Sequence, residues 1–351
     1  MRLISYFVVV SLLLVSCKKD DPTVEDNIAL KDGMMVMCEG LFQQNNSSLS
    51  FVNFNNDQSI NNFFLATSDR ALGDTGNDFQ RYGGKVYAIM NGSSTVEVIS
   101  GITGVSIKQI PMVDGGVAKQ PRSVTFYQDK ILVSCYDGFV DVIDTTSLEV
   151  EQRIQVGSNP EGLAVSNDML FVANSGGLNF PNVDSTVSVI NLSTYVEELK
   201  ITVGKNPIGV EVDTEGDIYV ITRGDYATIP SRLNRINPTS YAVTQFPFDA
   251  SSIHPMTDNF FLVGYSDFST GDNQVGLFNT SGDVMTNATF LDMSAIQTLY
   301  GITYHPVLDK IFLSDAKDFT ATGTIFEFSG SGIFENSYDV GLNPSKVIFY
   351  D

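Results

Sequence analysis

The chain has no tryptophan, only three cysteines and only two histidines in its 351 residues. Basic side chains are scarce as well. Twenty Lys and Arg stand against 41 Asp and Glu, for a net charge of −21. A field of that sign repels phosphate backbones and anionic lipid, so nucleic acid is not expected as a partner; it also aids solubility. No Gly-x-Ser-x-Gly, His-Glu-x-x-His, Cys-x-x-Cys or phosphate-binding glycine loop occurs. The one long apolar run lies within the first 15 residues, and nothing after it shows sustained helical periodicity.

What is present is a repeat. Val-Gly-x-Asn-Pro occurs three times, at 156–160, 203–207 and 340–344. Pro160 and Pro207 stand 47 residues apart, and the 137 residues from Pro207 to Pro344 hold three periods of about 46, the length of a radial β repeat. The cleanest unit, 160–206, reads as four strands: A over 161–166, B over 169–174, C over 186–191 and D over 196–203. Strand C recurs as Thr-Val-Glu-Val-Ile-Ser at 95–100 and Phe-Val-Asp-Val-Ile-Asp at 139–144. These runs alternate with period two and are rich in β-branched residues, as half-buried strands are. Proline cannot donate to a ladder, so it suits the first residue of strand A, and the Gly-x-Asn before it supplies the turn from D to A.

Strand A begins near Asn77, Arg122, Glu161, Ile208, Ala250 and Gly301. The first unit has strands B, C and D (33–38, 49–55, 59–66) but no A, while residues 343–350 form a strand A that nothing follows. The tail is therefore expected to complete the first unit and close a ring: an all-β, seven-bladed β-propeller over residues 29–351. Closure leaves only short, protected sheet edges, and a linear solenoid has no use for such complementary ends. Cys38 and Cys135 end equivalent strands two units apart. That is too far round a ring for the roughly 7 Å a disulfide allows between Cα atoms, so two free, buried thiols are expected.

The Asn-Pro-Glu-Gly and Asn-Pro-Ile-Gly strand starts, the Tyr/Phe-Val endings of strand B and the Thr-Val-Ser-Val-Ile-Asn strand C resemble the YncE-like propellers. Within these, the chain is similar to the lipid-anchored propellers of Bacteroidetes. The resemblance covers roughly residues 30–351 and marks fold and subfamily, not catalysis. Some members capture cobalamin above an outer-membrane TonB-dependent transporter. The resemblance thus implies a small-molecule ligand of corrinoid type and such a transporter as partner, with no cofactor. The missing tryptophan argues against a quinone-cofactor propeller, whose blades commonly dock through tryptophans. Residues 1–16 read as a signal peptide, with Arg2 ahead of an apolar run of about 13 residues that is too short to span a bilayer. Leu14-Val15-Ser16-Cys17 resembles the bacterial lipobox, which implies acylation of Cys17 and anchoring in the outer membrane. Lys18-Lys19-Asp20-Asp21 resembles the export signal of Bacteroidetes surface lipoproteins, and residues 17–28 form a polar tether.

In a propeller of this strand order the D-to-A turns and B-to-C loops share one face. The B-to-C loops at 91–94 and 136–138 are tight; those at 39–48, 175–185, 223–231, 266–273 and 315–323 are long. A rim is expected around most of that face, lower at the second and third blades, and functional residues concentrate on such loops. The rim carries Phe42, Phe180, Tyr226, Tyr265, Phe268 and Phe319, with Tyr136 at a strand end. Rigid rings interleaved with amides and charges suit a large, partly apolar ligand, although each ring could instead tuck into its own loop. Arg122, Glu161, Asn174, Arg223 and Lys317 are placed near the channel mouth, Arg122 either facing the mouth or paired with Glu161 of the next blade. His254 and His305 fall in matching His-Pro steps at the A-to-B turn, on the opposite face, where a structural role is expected and no triad base is available. The expected function is non-enzymatic ligand binding at the cell surface. Two alternatives stay open: a metal-dependent hydrolase of lactonase type, with Asn77, Glu161, Asn174 and Asp315 converging on Ca²⁺, and a structural or protein-interaction propeller of the envelope.

Overall fold

The computed structural model describes residues 30–267 and 270–351. The expected signal peptide, lipid-bearing Cys17 and tether, and Phe268, lie outside them. The described residues form seven four-stranded antiparallel sheets around a central channel. The fourth blade consists of Pro160–Ser166, Met169–Asn174, Thr186–Asn191 and Val196–Thr202, as its sequence predicts. The ring closes through its tail. Pro344–Tyr350 pairs antiparallel with Gly33–Cys38, bringing Val347 opposite Val36, and so supplies the missing strand A of blade 1. The Tyr350 ring then meets Phe51 edge-on at 6.1 Å. The His305 ring lies 4.2 Å from that of Phe349, and its Nε2 is 3.1 Å from the Asp351 carboxylate.

Strands B and C are buried on both faces, because each blade packs against two neighbours. Thr95–Ser100, Phe139–Asp144 and Thr186–Asn191 all bury their four central residues. The period-two polar members are therefore enclosed, and they carry partners, as a buried charge must. Asp141 is held by Lys119 at 2.6 Å and Arg153 at 2.8 Å, and Glu97 by Arg70 at 2.7 Å. Cys38 and Cys135 are free and buried, and burial pushes the Cys38 thiol up to about 11.

Several expectations need correction. Strand D of blade 1 is only Gln58–Ile60; Phe63–Ser68 is a short α-helix. Phe63 and Phe64 are both buried. Successive side chains of a strand point to opposite faces, whereas a helical turn can send both rings into one crevice. The helix is tied to blade 2 by the Thr67 hydroxyl, which donates to the Gly104 carbonyl at 2.9 Å. Between blades 2 and 3 the rim is not low, because the D-to-A connection rises there as a small hairpin, Val113–Asp114 against Val117–Ala118. Its Gly115 and Gly116 both take positive φ, as the tight turn of an Asp-Gly hairpin requires. In blade 6 most of the expected loop is strand, since Phe260–Asp267 and Asp272–Asn279 pair to their ends. The two histidines are not equivalent either. His254 lies within strand A (Ser252–Pro255), at the register position of Glu211 in blade 5, while His305 ends its strand. The shared His-Pro step aligned what the ladders separate.

Candidate functional site

Six of the seven A strands carry the same irregularity: a β-bulge after their first residue. A bulge leaves one residue out of the ladder and re-aims its side chain. The bulged residues are Asn77, Arg122, Glu161, Ile208, Tyr300 and Ser345, one per blade, and together they ring one end of the channel. The register tightens directly behind them. A Cβ on Gly162 would fall 2.6 Å from the Ile208 carbonyl oxygen, and one on Gly301 2.3 Å from that of Ser345. The hub strands approach this closely only because those positions are glycine.

A second ring comes from the D-to-A turns. Thr75, Gln120, Asn159, Asn206 and Asn343 all adopt left-handed φ values between 44° and 58°. Asparagine tolerates that region better than most residues, which accounts for its place in the Val-Gly-x-Asn-Pro repeat. Each of these residues offers its carbonyl to the first N–H of a B-to-C loop: Thr75 to Asn91, Gln120 to Tyr136, Asn159 to Ser175, Asn206 to Arg223 and Asn343 to Glu39, at 2.8–3.2 Å. Glu39, Tyr136 and Arg223 therefore occupy equivalent stations around the mouth.

The two rings interlock. Arg122 donates from Nε to Glu161 Oε2 at 2.9 Å, and its guanidinium lies 4.6 Å from the Tyr136 ring centroid. The Tyr136 hydroxyl donates to the other Glu161 oxygen. Tyr300 donates its hydroxyl to Glu39, whose second oxygen accepts from Asn77 Nδ2 at 3.4 Å. Burial raises the Glu39 carboxyl above its usual range against the opposing pull of Tyr300 and Arg122. Burial, reinforced by the carboxylate each one faces, raises the Tyr136 and Tyr300 phenols. Both hydroxyls thus remain protonated donors at neutral pH. The A strands of blades 2 to 6, with Lys346 of blade 1, line a channel of about 580 Å³ that opens at Arg122, Glu161 and Arg223.

The expected site residues separate into groups. Arg122, Glu161, Tyr136 and Arg223 come together at the mouth, and of the two dispositions open to Arg122 the structure shows the ion pair with Glu161. Phe42, Phe180 and Tyr226 stand out on the rim, 65%, 59% and 67% exposed, so these rings do not tuck into their own loops. Phe180 and Tyr226 bridge blades 4 and 5, their centroids 6.3 Å apart, and Asn206 Nδ2 donates to the Tyr226 hydroxyl at 3.1 Å. Tyr265 is half-buried in a separate small hollow with Phe248 and Gln274. Lys317 is the second residue of the blade 7 loop, after Ala316, and takes a positive φ. Asn174 does not face the mouth. It is fully buried; its Oδ1 accepts from Gly157 N at 2.9 Å, and its Nδ2 donates to Thr186 at 3.0 Å and Ser188 at 2.9 Å. It holds the D-to-A turn, and a Cβ on Gly157 would strike it at 2.4 Å, which explains the motif's glycine. Asp315 is spent likewise on the N–H groups of Gln297, Thr298 and Lys317. The convergence on Ca²⁺ is therefore not formed: among the described residues no three His, Cys, Asp or Glu side chains are grouped to hold a metal. Glu39 and Tyr300 were missed, although each shares a repeat position with a residue that was singled out.

Residues 32–330 match the family described as a domain of unknown function, DUF5074. The chain belongs to that family. No curated protein matches it. Among solved structures it is similar to a quinonprotein alcohol dehydrogenase-like protein from Bacteroides thetaiotaomicron, with 12% identity, a TM-score of 0.68, and coverage of 93% of this chain and 80% of that one. Hydrazine synthase from Kuenenia stuttgartiensis gives 16% identity and a TM-score of 0.59, covering 72% and 76%. The computationally designed Ika8 protein gives 12% and 0.58, covering 90% and 91%. At these identities the likeness speaks for the propeller fold alone.

Proposed function

We propose that this propeller is a lipid-anchored binding protein of the bacterial cell surface, of the YncE-like type, that captures a ligand on its loop-bearing face and serves an outer-membrane transporter rather than catalysing a reaction. The observation that carries this reading is the asymmetry of that face. Exposed rings from three different blades stand around a polar mouth whose carboxylates are already fixed by tyrosine, arginine and asparagine. Rigid rings give contact area at low entropic cost, and preset polar groups orient what they hold. The chain also enters on the other side: Leu30 N donates to the Ile102 carbonyl, in the C-to-D turn of blade 2, at 3.1 Å. An anchor at Cys17 would leave the mouth facing away from the membrane.

A corrinoid is the leading ligand class under this reading. Calorimetric titration of the soluble domain with cyanocobalamin and with cobinamide tests it. Saturable heat with at least one of them, lost on Phe180→Ala/Tyr226→Ala, is the expected result. No heat and no thermal shift with either eliminates the corrinoid.

A further inference from the structure

Seventeen of the chain's Lys and Arg residues are described, and fifteen of them place a side-chain nitrogen against a protein carboxylate or carbonyl oxygen. The partners range from Asp32 for Lys31 and the Thr145 carbonyl for Lys85 to Asp78 for Lys346. Two do not. Among the described residues Arg223 and Lys317 have no ion pair and no side-chain hydrogen bond, in a chain where acids outnumber bases two to one. Both lie on the loop-bearing face, near the start of the B-to-C loops of blades 5 and 7, on either side of blade 6.

Their two loops both reach Tyr300. Arg223 acts electrostatically on Glu39, Tyr136 and Tyr300 at the mouth. Lys317 is tied by its carbonyl to the Thr298 hydroxyl at 2.6 Å, two residues before Tyr300, and Phe319 of the same loop meets the Tyr300 ring edge-on at 5.8 Å. The nearby acids are occupied. Glu161 holds Arg122 and Tyr136, and Glu39 holds Tyr300 and Asn77. Asp225 accepts three N–H groups of its own loop and Asp318 two. A cation without a partner beside fully engaged carboxylates is free to meet an incoming anion at little desolvation cost. Tyr226 and Ile229 share Arg223's loop and are exposed, and Tyr226 pairs with the exposed Phe180 of the blade 4 loop, where Leu178 is exposed as well.

The geometry points to an oxyanion subsite made by Arg223 and Lys317, which takes a carboxylate or phosphate group of a ligand whose flat apolar body lies on Phe180 and Tyr226. This rests on the reading of the loop-bearing face as a binding surface and names the chemistry it selects.

Two dyes of the same shape test it: 8-anilinonaphthalene-1-sulfonate, and N-phenyl-1-naphthylamine, which lacks the sulfonate. The field of a chain carrying −21 disfavours the anionic dye. A preference for it therefore requires a local cationic site. Fluorescence titration of the chain from residue 17, carrying Cys17→Ser, is expected to show the sulfonate binding about tenfold tighter than the neutral dye. Arg223→Gln/Lys317→Gln should bring that ratio to about one without changing the neutral dye, while Phe180→Ala/Tyr226→Ala weakens both. Displacement by phenyl phosphate or by benzoate then tells which oxyanion fits better. Equal binding of the two dyes to the unmodified chain, or a ratio that survives the double substitution, overturns the oxyanion subsite and leaves the binding face standing. Failure of both dyes to bind overturns the two together.

Discussion

At the scale of single residues, the asparagine ahead of each repeat proline has two duties, and Asn206 shows both. Its backbone sits at φ 58° and gives its carbonyl to Arg223 N at 2.9 Å; its amide reaches the Tyr226 hydroxyl. One residue thus sets the station of a mouth arginine and steadies a rim ring. Alanine would lose the amide contact and strain the left-handed turn, at a cost of about 2 kcal/mol, whereas glycine would lose only the contact, at about 1 kcal/mol. Urea unfolding midpoints of Asn206→Ala and Asn206→Gly should fall in that order. Equal loss would remove the backbone argument and leave a hydrogen bond alone.

At the scale of elements, closure by the last strand is the strongest structural commitment the chain makes. Removing residues 344–351 bares the inner edge of Gly33–Cys38 and takes Val347 and Tyr350 out of their clusters, each burial contributing on the order of 2 kcal/mol. Scanning calorimetry of the truncated chain should show a lower, broader transition, and an unchanged melt would mean the ring does not depend on its tail. Element-level features were also the easiest to read from sequence. The strands 33–38, 169–174 and 186–191 fall at their expected bounds because strand punctuation by Pro, Gly and Asn is local chemistry. The helix at Phe63–Ser68 was not legible, since what two adjacent phenylalanines do depends on a crevice made by another blade. The hairpin at 113–118 was signalled by Asp-Gly-Gly but hidden in a connection expected to be short. Arg122, Glu161, Tyr136 and Arg223 were found at the mouth because the repeat fixes their station. Asn174 was misplaced because a strand's last side chain can turn either way, and here the turn at Gly157 claims it.

At the scale of the whole molecule, seven strands from distant parts of the sequence enclose a set of titratable groups that no single blade contains. Lys346 of blade 1 lies 3.6 Å from Asp78 of blade 2, whose charge holds the Lys346 ammonium above its usual range. Farther along, Glu211 of blade 5 is pushed up to about 7 by burial, against the pull of Lys346, and His254 of blade 6 is pushed down to about 3 by burial and by Lys346. The two shifts work in opposite directions on stability. Between its ordinary value of 4.5 and about 7, Glu211 is protonated in the folded ring and ionised in the unfolded chain, so its contribution to stability is lost as pH rises through that window. Between 6.5 and about 3, His254 is neutral in the ring and protonated when unfolded, so its contribution is lost as pH falls. Each slope is at most about 1.4 kcal/mol per pH unit, and channel water screens both to less. In the parent chain the two offset each other between pH 4.5 and 6.5, and single substitutions uncouple them. Relative to the parent, Glu211→Gln should gain stability as pH rises from 4.5 to 7.5, and His254→Gln should gain it as pH falls from 7 to 4. Urea unfolding at four pH values measures both differences. If either difference is flat with pH, that group faces bulk water rather than the enclosed channel, and the seven-strand enclosure argued for it fails.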